Sequence, residues 1–447
     1  MDQFNVAIVV ADTLRKDVID IYGGRAQMPA LNTFSREAMV YRNCYSPSPW
    51  TLPSHVSMFT GLYPKDHGVF ERPGTESVDL IKKLEDYRGF WLPSYFRDLG
   101  YDTVGLSGNY LVSTETGFSR GFDSLFHVDR FTDFAYSEQV LNAWKYGTSE
   151  LDILKNLLRH RKFRNLVEYS TLKQKKDRFD ALTDFPREKG TKLLLNLMGN
   201  INLKSNFFLF MNMFEMHNPK PGERKNEAFD HLYGVRPMSL KRAGRLLDSY
   251  VKQAEYLDKY IGKFISLLKQ KGVYDNTLII FTSDHGEAFL EHGYIHHGSC
   301  LYDEIIAVPL IVKPPQGVRL LSGSQAQTLV SIPEIITRMR DFRDPVSFDS
   351  ETVYSESHGN VKEFPAKYRS RKEYMDTHYR VSRYAIVRDG YKLVLNRGNG
   401  SVEEFTRQGK AVKPESEKEA FLSLNSALDQ YCSKFEGSRA GEEPGSG

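Results

Sequence analysis

The sequence predicts an α/β protein: a large, mostly parallel sheet covered on both faces, followed by a smaller C-terminal α+β unit. Three observations predict it. The runs 5–11, 207–214 and 277–281 are continuously apolar and rich in β-branched or aromatic residues, as strands buried on both faces are. Segment 246–271 has apolar residues at helical spacing, with Tyr256, Tyr260, Ile261 and Phe264 on one face. From about residue 341 the texture changes to polar loops between short strands.

Length and composition bound the reading. A chain of 447 residues can bury a large core and form two structural units. Hydrophobic residues make up 40% and charged residues 26%, ordinary for a globular chain. A net charge of +3 gives no case for a nucleic-acid or membrane-surface partner. Cys44, Cys300 and Cys432 lie far apart without Cys-x-x-Cys spacing, which argues against a disulfide framework or structural zinc and for a reducing compartment. Neither a secretory leader nor an apolar stretch of bilayer length is seen, so a cytoplasmic location is expected. The expected division is a main domain over 1–340, a C-terminal subdomain over 341–433 and a tail over 434–447.

In chain order, the first strand runs into Asp12-Thr13-Leu14-Arg15-Lys16-Asp17. Ligands of open α/β sheets sit beyond the carboxyl ends of strands, which places Asp12 for chemistry. The alternative is that Asp12 caps the next helix. Next comes the turn-prone Ser46-Pro47-Ser48-Pro49, then Thr51-Leu52-Pro53-Ser54-His55 and an apolar stretch ending at Gly61. This reads as a loop feeding a helix, with Thr51 just ahead of it. Helix N-termini gather anions. A hydroxyl there is either a nucleophile towards an anionic ester or, more plainly, Thr51 or Ser54 is an N-cap.

A helix over 93–99 and a strand over 101–106 lead to Ser107-Gly108-Asn109-Tyr110, another strand end with polar groups. Segment 132–200 is rich in Lys and Arg and reads as a helical insertion over the sheet. Its basic runs either meet an acidic partner or form a solvated face. The strand over 207–214 runs into Glu215-Met216-His217, and the one over 277–281 into Ser283-Asp284-His285-Gly286-Glu287. His292, His296 and His297 follow. An Asp and several His after one strand signal metal or phosphate handling. Further strands are expected at 308–312, 353–355, 384–388 and 391–395, the last two joined by an Asp389-Gly390 hairpin, with a helix over 416–432.

Parallel strand ends lie side by side. Asp12, Glu215-Met216-His217 and Asp284-His285 therefore come together, and two carboxylates, one imidazole and the Thr51 hydroxyl can make a four-ligand site for one divalent metal, which would lower the hydroxyl's pKa and polarise a substrate oxygen. His217 and His297 remain for the substrate or leaving group. One imidazole among oxygen ligands suits Mn²⁺ or Zn²⁺ better than Ca²⁺.

These motifs, with Thr60-Gly61-Leu62-Tyr63-Pro64 and Leu301-Tyr302-Asp303-Glu304, resemble the sulfatase family of the alkaline phosphatase superfamily over most of the chain. The resemblance implies an alkaline phosphatase-like α/β/α sandwich and a hydrolase of sulfate or phosphate esters, phosphodiesters included. The family pattern has Cys or Ser followed by x-Pro-Ser-Arg, with the first residue matured to formylglycine. Here Thr51 and His55 stand at the two ends of that pattern, and a threonine cannot give the aldehyde. Related lipoteichoic acid synthase-like enzymes and alkaline phosphatases use an unmodified Thr or Ser, which Thr51 resembles. The resemblance gives metal roles to Asp12, Thr51, Asp284 and His285. It gives catalytic roles to Thr51, His55, His217 and His297, and substrate contact to Asn109 and Arg72. Thr13 stands where many sulfatases have a second Asp, and His297 where many have a Lys. The expected reaction passes through a covalent threonine ester with a small anionic ester as substrate. The alternatives are a transferase passing a phospho-group to an alcohol and a catalytically silent binding protein of the same fold.

Overall fold

The computed structural model describes residues 4–70, 77–128, 187–203, 206–217, 225–321, 325–342, 347–359 and 371–437. Most of the expected insertion over 132–200, and Arg72, lie outside the described residues.

The strands of the main domain are β1 (Asn5–Ala11), β2 (Met39–Tyr45), β3 (Asp102–Ser107), β4 (Ser124–His127), β5 (Phe207–Met213) and β6 (Thr277–Thr282). A short hairpin, β7 (Ala288–Phe289) and β8 (Ile295–His296), precedes β9 (Ala307–Lys313), β10 (Ala326–Thr328) and β11 (Asp349–Ser350). Nine of them form one sheet in the order β11-β10-β2-β9-β6-β1-β5-β3-β4. Strand β1 runs parallel to both its neighbours, with Val10 beside Asn212 on one side and Thr282 on the other. The expected strand over 308–312 is β9, and it runs antiparallel to β6 and β2.

The alternation of side chains explains the layers. Ala7, Val9 and Ala11 face one core, with Leu209 and Met211 of β5. Helices α3 (Thr191–Asn200) and α4 (Leu240–Gln270) cover that face. Val6, Ile8 and Val10 face the other, with Phe208 and Phe210. Helices α1 (Thr51–Thr60), α2 (Leu92–Asp98) and α5 (Ile332–Phe342) cover it. The result is a three-layer α/β/α sandwich. The helix expected over 246–271 begins earlier, at Leu240, because Ser239 caps it: its side chain accepts from the Arg242 N–H.

The C-terminal unit is an antiparallel sheet of β12 (Val353–Ser357), β13 (Arg383–Arg388), β14 (Tyr391–Asn396), β15 (Val402–Arg407) and β16 (Lys410–Ala411). Helix α6 (Lys418–Gly437) packs Leu424 and Leu428 on one face of it. The other face, through Val353, Ala385 and Val394, packs against Tyr45, Ile305 and Ile306 of the main domain. The Asp389-Gly390 turn has φ of 53° and 77°, as a tight hairpin of that type requires. All three cysteines are free and buried. No helix among the described residues is long and apolar enough to cross a membrane.

Candidate active site

The polar ends of β1, β3, β5 and β6 meet the first turn of α1 at one edge of the sheet. Asp12, Asp284 and His285 are fully buried there, and one ligand atom from each lies within 4.8 Å of the others. Two amides reach Asp12 Oδ2: Asn109 Nδ2 donates at 2.7 Å and Asn212 Nδ2 at 3.1 Å. On Asp284, Oδ1 accepts the backbone N–H groups of Thr13 and His285, each at 3.0 Å. Asp12 Oδ1 and Asp284 Oδ2 are buried and receive no hydrogen bond among the described residues. Each carboxylate thus uses one oxygen to fix its orientation and leaves the other without a hydrogen bond, with Asp284 Oδ2 lying 3.4 Å from His285 Nε2.

The imidazole of His285 is oriented in the same way. Its Nδ1 lies 2.9 Å from the Gly286 carbonyl, which only accepts, so Nδ1 carries the proton and Nε2 offers its lone pair. Burial, reinforced by their mutual repulsion, pushes Asp12 up to about 7. Burial also pushes Asp284 up to about 7, against the hydrogen bonds from the Thr13 and His285 N–H groups. Two buried carboxylates with one orphaned oxygen each and a lone-pair imidazole fit a divalent cation, since unpaired buried charge is otherwise costly.

The structure removes the cap reading of Thr51. The helix starts one residue earlier than the sequence suggests, so Thr51 is the first residue of α1. Its N-cap is Trp50, which makes no side-chain cap. Instead Thr51 Oγ1 lies 3.3 Å from His285 Nε2 and 3.5 Å from Asn109 Nδ2. Ser54 does not cap either: its hydroxyl donates to the Asp284 carbonyl at 2.8 Å and meets Ser46 Oγ at 3.1 Å. Nor does Asp12 cap a helix.

His55 is fully buried between Phe118 and Phe210. Its Nδ1 donates to the Thr51 carbonyl at 2.9 Å, and its Nε2 accepts from Asn212 Nδ2 at 3.3 Å. Burial lowers its pKa to about 3, so the ring is neutral with both nitrogens engaged. His217 and His297 converge on the centre. The His297 ring lies 4.4 Å from that of His285 and 5.2 Å from that of His217. Buried Glu287 accepts from His297 Nδ1 at 3.1 Å. Glu215, by contrast, turns away and takes the Lys189 and Thr191 N–H groups at the start of α3.

Sequence reasoning missed Asn212 and Glu287. Asn212 had a signal, an amide inside an otherwise apolar run.

A sequence model of the sulfatase family matches residues 5–339. The chain is 24% identical over 438 residues to the Escherichia coli (strain K12) protein described as uncharacterized sulfatase YidJ, covering 89% of this chain and 79% of that one. It is 25% identical over 344 residues to an endo-4-O-sulfatase of Bacteroides thetaiotaomicron, covering 72% of this chain but only 63% of that one. The fold is similar to the crystal structure of phosphonate monoester hydrolase of Agrobacterium radiobacter, with a TM-score of 0.62 at 14% identity over 97% of this chain and 96% of that one. With three quarters of its length matched by one family's pattern, the chain belongs to the sulfatase family of ester hydrolases.

Proposed function

We propose that the protein hydrolyses sulfate or phosphate esters with one divalent metal ion and with unmodified Thr51 as nucleophile. The observation that carries this reading is the position of Thr51 Oγ1, 3.3 Å from His285 Nε2 and at the N-terminus of a ten-residue helix. Asp12, Asp284, His285 and Thr51 would hold the metal, with Mn²⁺ or Zn²⁺ suited to this mixed oxygen and nitrogen set. When bound, the metal supplies Lewis acidity at the ester and lowers the pKa of the Thr51 hydroxyl.

The chain's own residues divide the remaining work. The free N–H groups at the start of α1 receive the anionic head of the substrate. Thr51 Oγ1 forms a bond to sulfur or phosphorus and gives up its proton to solvent. The bond to the leaving oxygen breaks, and that oxygen takes a proton from His297 or His217. Water then cleaves the threonine ester, restoring the hydroxyl and releasing sulfate, phosphate or, from a diester, a phosphate monoester. Asn109 steadies both Asp12 and the attacking oxygen. His55, neutral and committed at both nitrogens, serves by anchoring the Thr51 carbonyl rather than by moving protons. Arg72 is assigned to substrate contact on the family resemblance alone. The names of the relatives support both chemistries: sulfate esters from the sequence relatives, phosphonate esters from the structural neighbour.

The test uses protein loaded with Mn²⁺ or Zn²⁺ and a panel of aryl sulfate, aryl phosphate and aryl phosphodiester. At least one should turn over, and Thr51→Ala should lower kcat by about 10³-fold or more while metal still binds. Unchanged turnover by Thr51→Ala removes the nucleophile. Absence of both metal and turnover in the wild type supports the silent binding protein.

A further inference from the structure

Tyr250 belongs to α4, a helix whose other aromatic residues fill the core, and it is fully buried. Its hydroxyl nevertheless reaches the turn that follows β1. There it accepts the Arg15 N–H at 2.8 Å and donates to the Thr13 carbonyl. The first of these residues in the chain, which directly follows Asp12, is unusual. Thr13 has φ of 60°, a left-handed conformation that a β-branched side chain resists. An outlier of this kind persists only where its surroundings over-determine it.

The strained conformation has a consequence at the metal centre. It directs the Thr13 N–H at Asp284 Oδ1, 3.0 Å away, and so helps leave Oδ2 without a hydrogen bond. The turn is held from its far side as well. Arg15 pairs with Asp17 at 2.7 Å and with Glu291 at 2.6 Å. The Tyr250 ring is itself fixed against Phe289, centroids 5.1 Å apart.

We propose that Tyr250 is a positioning residue for the metal centre: its hydroxyl clamps the Thr13–Arg15 turn in the left-handed form that aims Asp284. The inference rests on the metal-dependent reading above. The phenol keeps its proton throughout the working pH range, because burial holds its pKa well above the usual tyrosine value. It is therefore a permanent donor to the Thr13 carbonyl.

Tyr250→Phe removes one oxygen and keeps the packing. Metal affinity, read by competition with a chromophoric chelator for Mn²⁺ and for Zn²⁺, should fall by about 10–100-fold, the usual effect of removing an outer-shell partner. The same substitution made in a Thr13→Gly background should cost less than about 3-fold, because glycine adopts positive φ without the clamp. A merely structural role would lower the melting temperature of the metal-free protein in both backgrounds and leave the chelator competition alike in both. Wild-type affinity in Tyr250→Phe overturns the inference, as does an equal loss in the two backgrounds. Failure of the wild type itself to bind either metal overturns the metal-dependent reading and this inference with it.

Discussion

Asp12 and Asp284 each meet the protein with one oxygen, and the side chains that hold those oxygens decide where the other two point. Asn212 is the most consequential of them. It lies on the same face of β5 as Phe208 and Phe210, and so looks towards α1. Its Nδ2 is shared between Asp12 Oδ2 and His55 Nε2, which couples a metal-ligand candidate to the residue that anchors the Thr51 carbonyl. Asn212→Leu keeps the branched shape and deletes the donor. Asp12 then keeps only Asn109, and His55 Nε2 becomes a buried acceptor without a partner. The expected cost is about 1–3 kcal/mol of stability, with metal affinity lower by about 10-fold. Urea unfolding and chelator competition check the two effects. Loss of stability with wild-type metal affinity would leave Asn212 a packing residue only.

Helix α1 carries the nucleophile candidate at one end and a large aromatic anchor near the other. The Phe59 ring meets Phe210 at 5.0 Å, Trp91 at 5.1 Å and Phe118 at 5.8 Å, all at steep angles. It thereby ties α1 to β5, which supplies Asn212, and to Trp91 at the N-cap of α2. Phe59→Ala should cost about 3–5 kcal/mol through transfer and cavity terms. The measurement is the urea midpoint at constant slope, and a cost below about 1 kcal/mol would show that the helix is held elsewhere. The sequence made some elements legible and hid others for physical reasons. Strands β1, β5 and β6 are buried on both faces, so their composition alone announces them. Strand β2 carries exposed Arg42 and Asn43 at a register shift in its pairing, and its apolar signal is broken there. The antiparallel course of β9 leaves no trace in an apolar run, because both directions bury the same side chains. Among site residues, Asp12, Asp284 and His285 stand just past strands and Thr51 just past a proline-rich loop, where a reader looks for chemistry. Tyr250 contributes from the third turn of a helix 235 residues beyond Arg15, and only the packing of α4 brings it there.

At the scale of the whole molecule, the sheet buries two carboxyl groups completely, and the stability of the fold then depends on what neutralises them. Burial raises both Asp12 and Asp284 to about 7 from an ordinary value of 3.8. The groups facing them are each other, His285, neutral His55 and the amides of Asn109 and Asn212. Between the ordinary carboxylate range and about pH 7, the folded metal-free chain holds protons that the unfolded chain has released. Stability therefore falls as pH rises through that window, the reverse of the usual salt-bridged aspartate. A divalent cation binds the deprotonated pair, so its stabilising effect grows over the same window. Chelator-treated protein should melt at a lower temperature at pH 8 than at pH 5, by on the order of 5 °C once other titrations are subtracted using Asp12→Asn/Asp284→Asn. Added Mn²⁺ or Zn²⁺ should raise the melting temperature more at pH 8 than at pH 5. Calorimetry across that range decides the matter. A metal-free protein whose melting temperature follows the same pH profile as the double asparagine variant would mean that these carboxyls are solvated after all, and that the edge of the sheet is not the closed, charge-poor chamber that the hydrogen bonds around it describe.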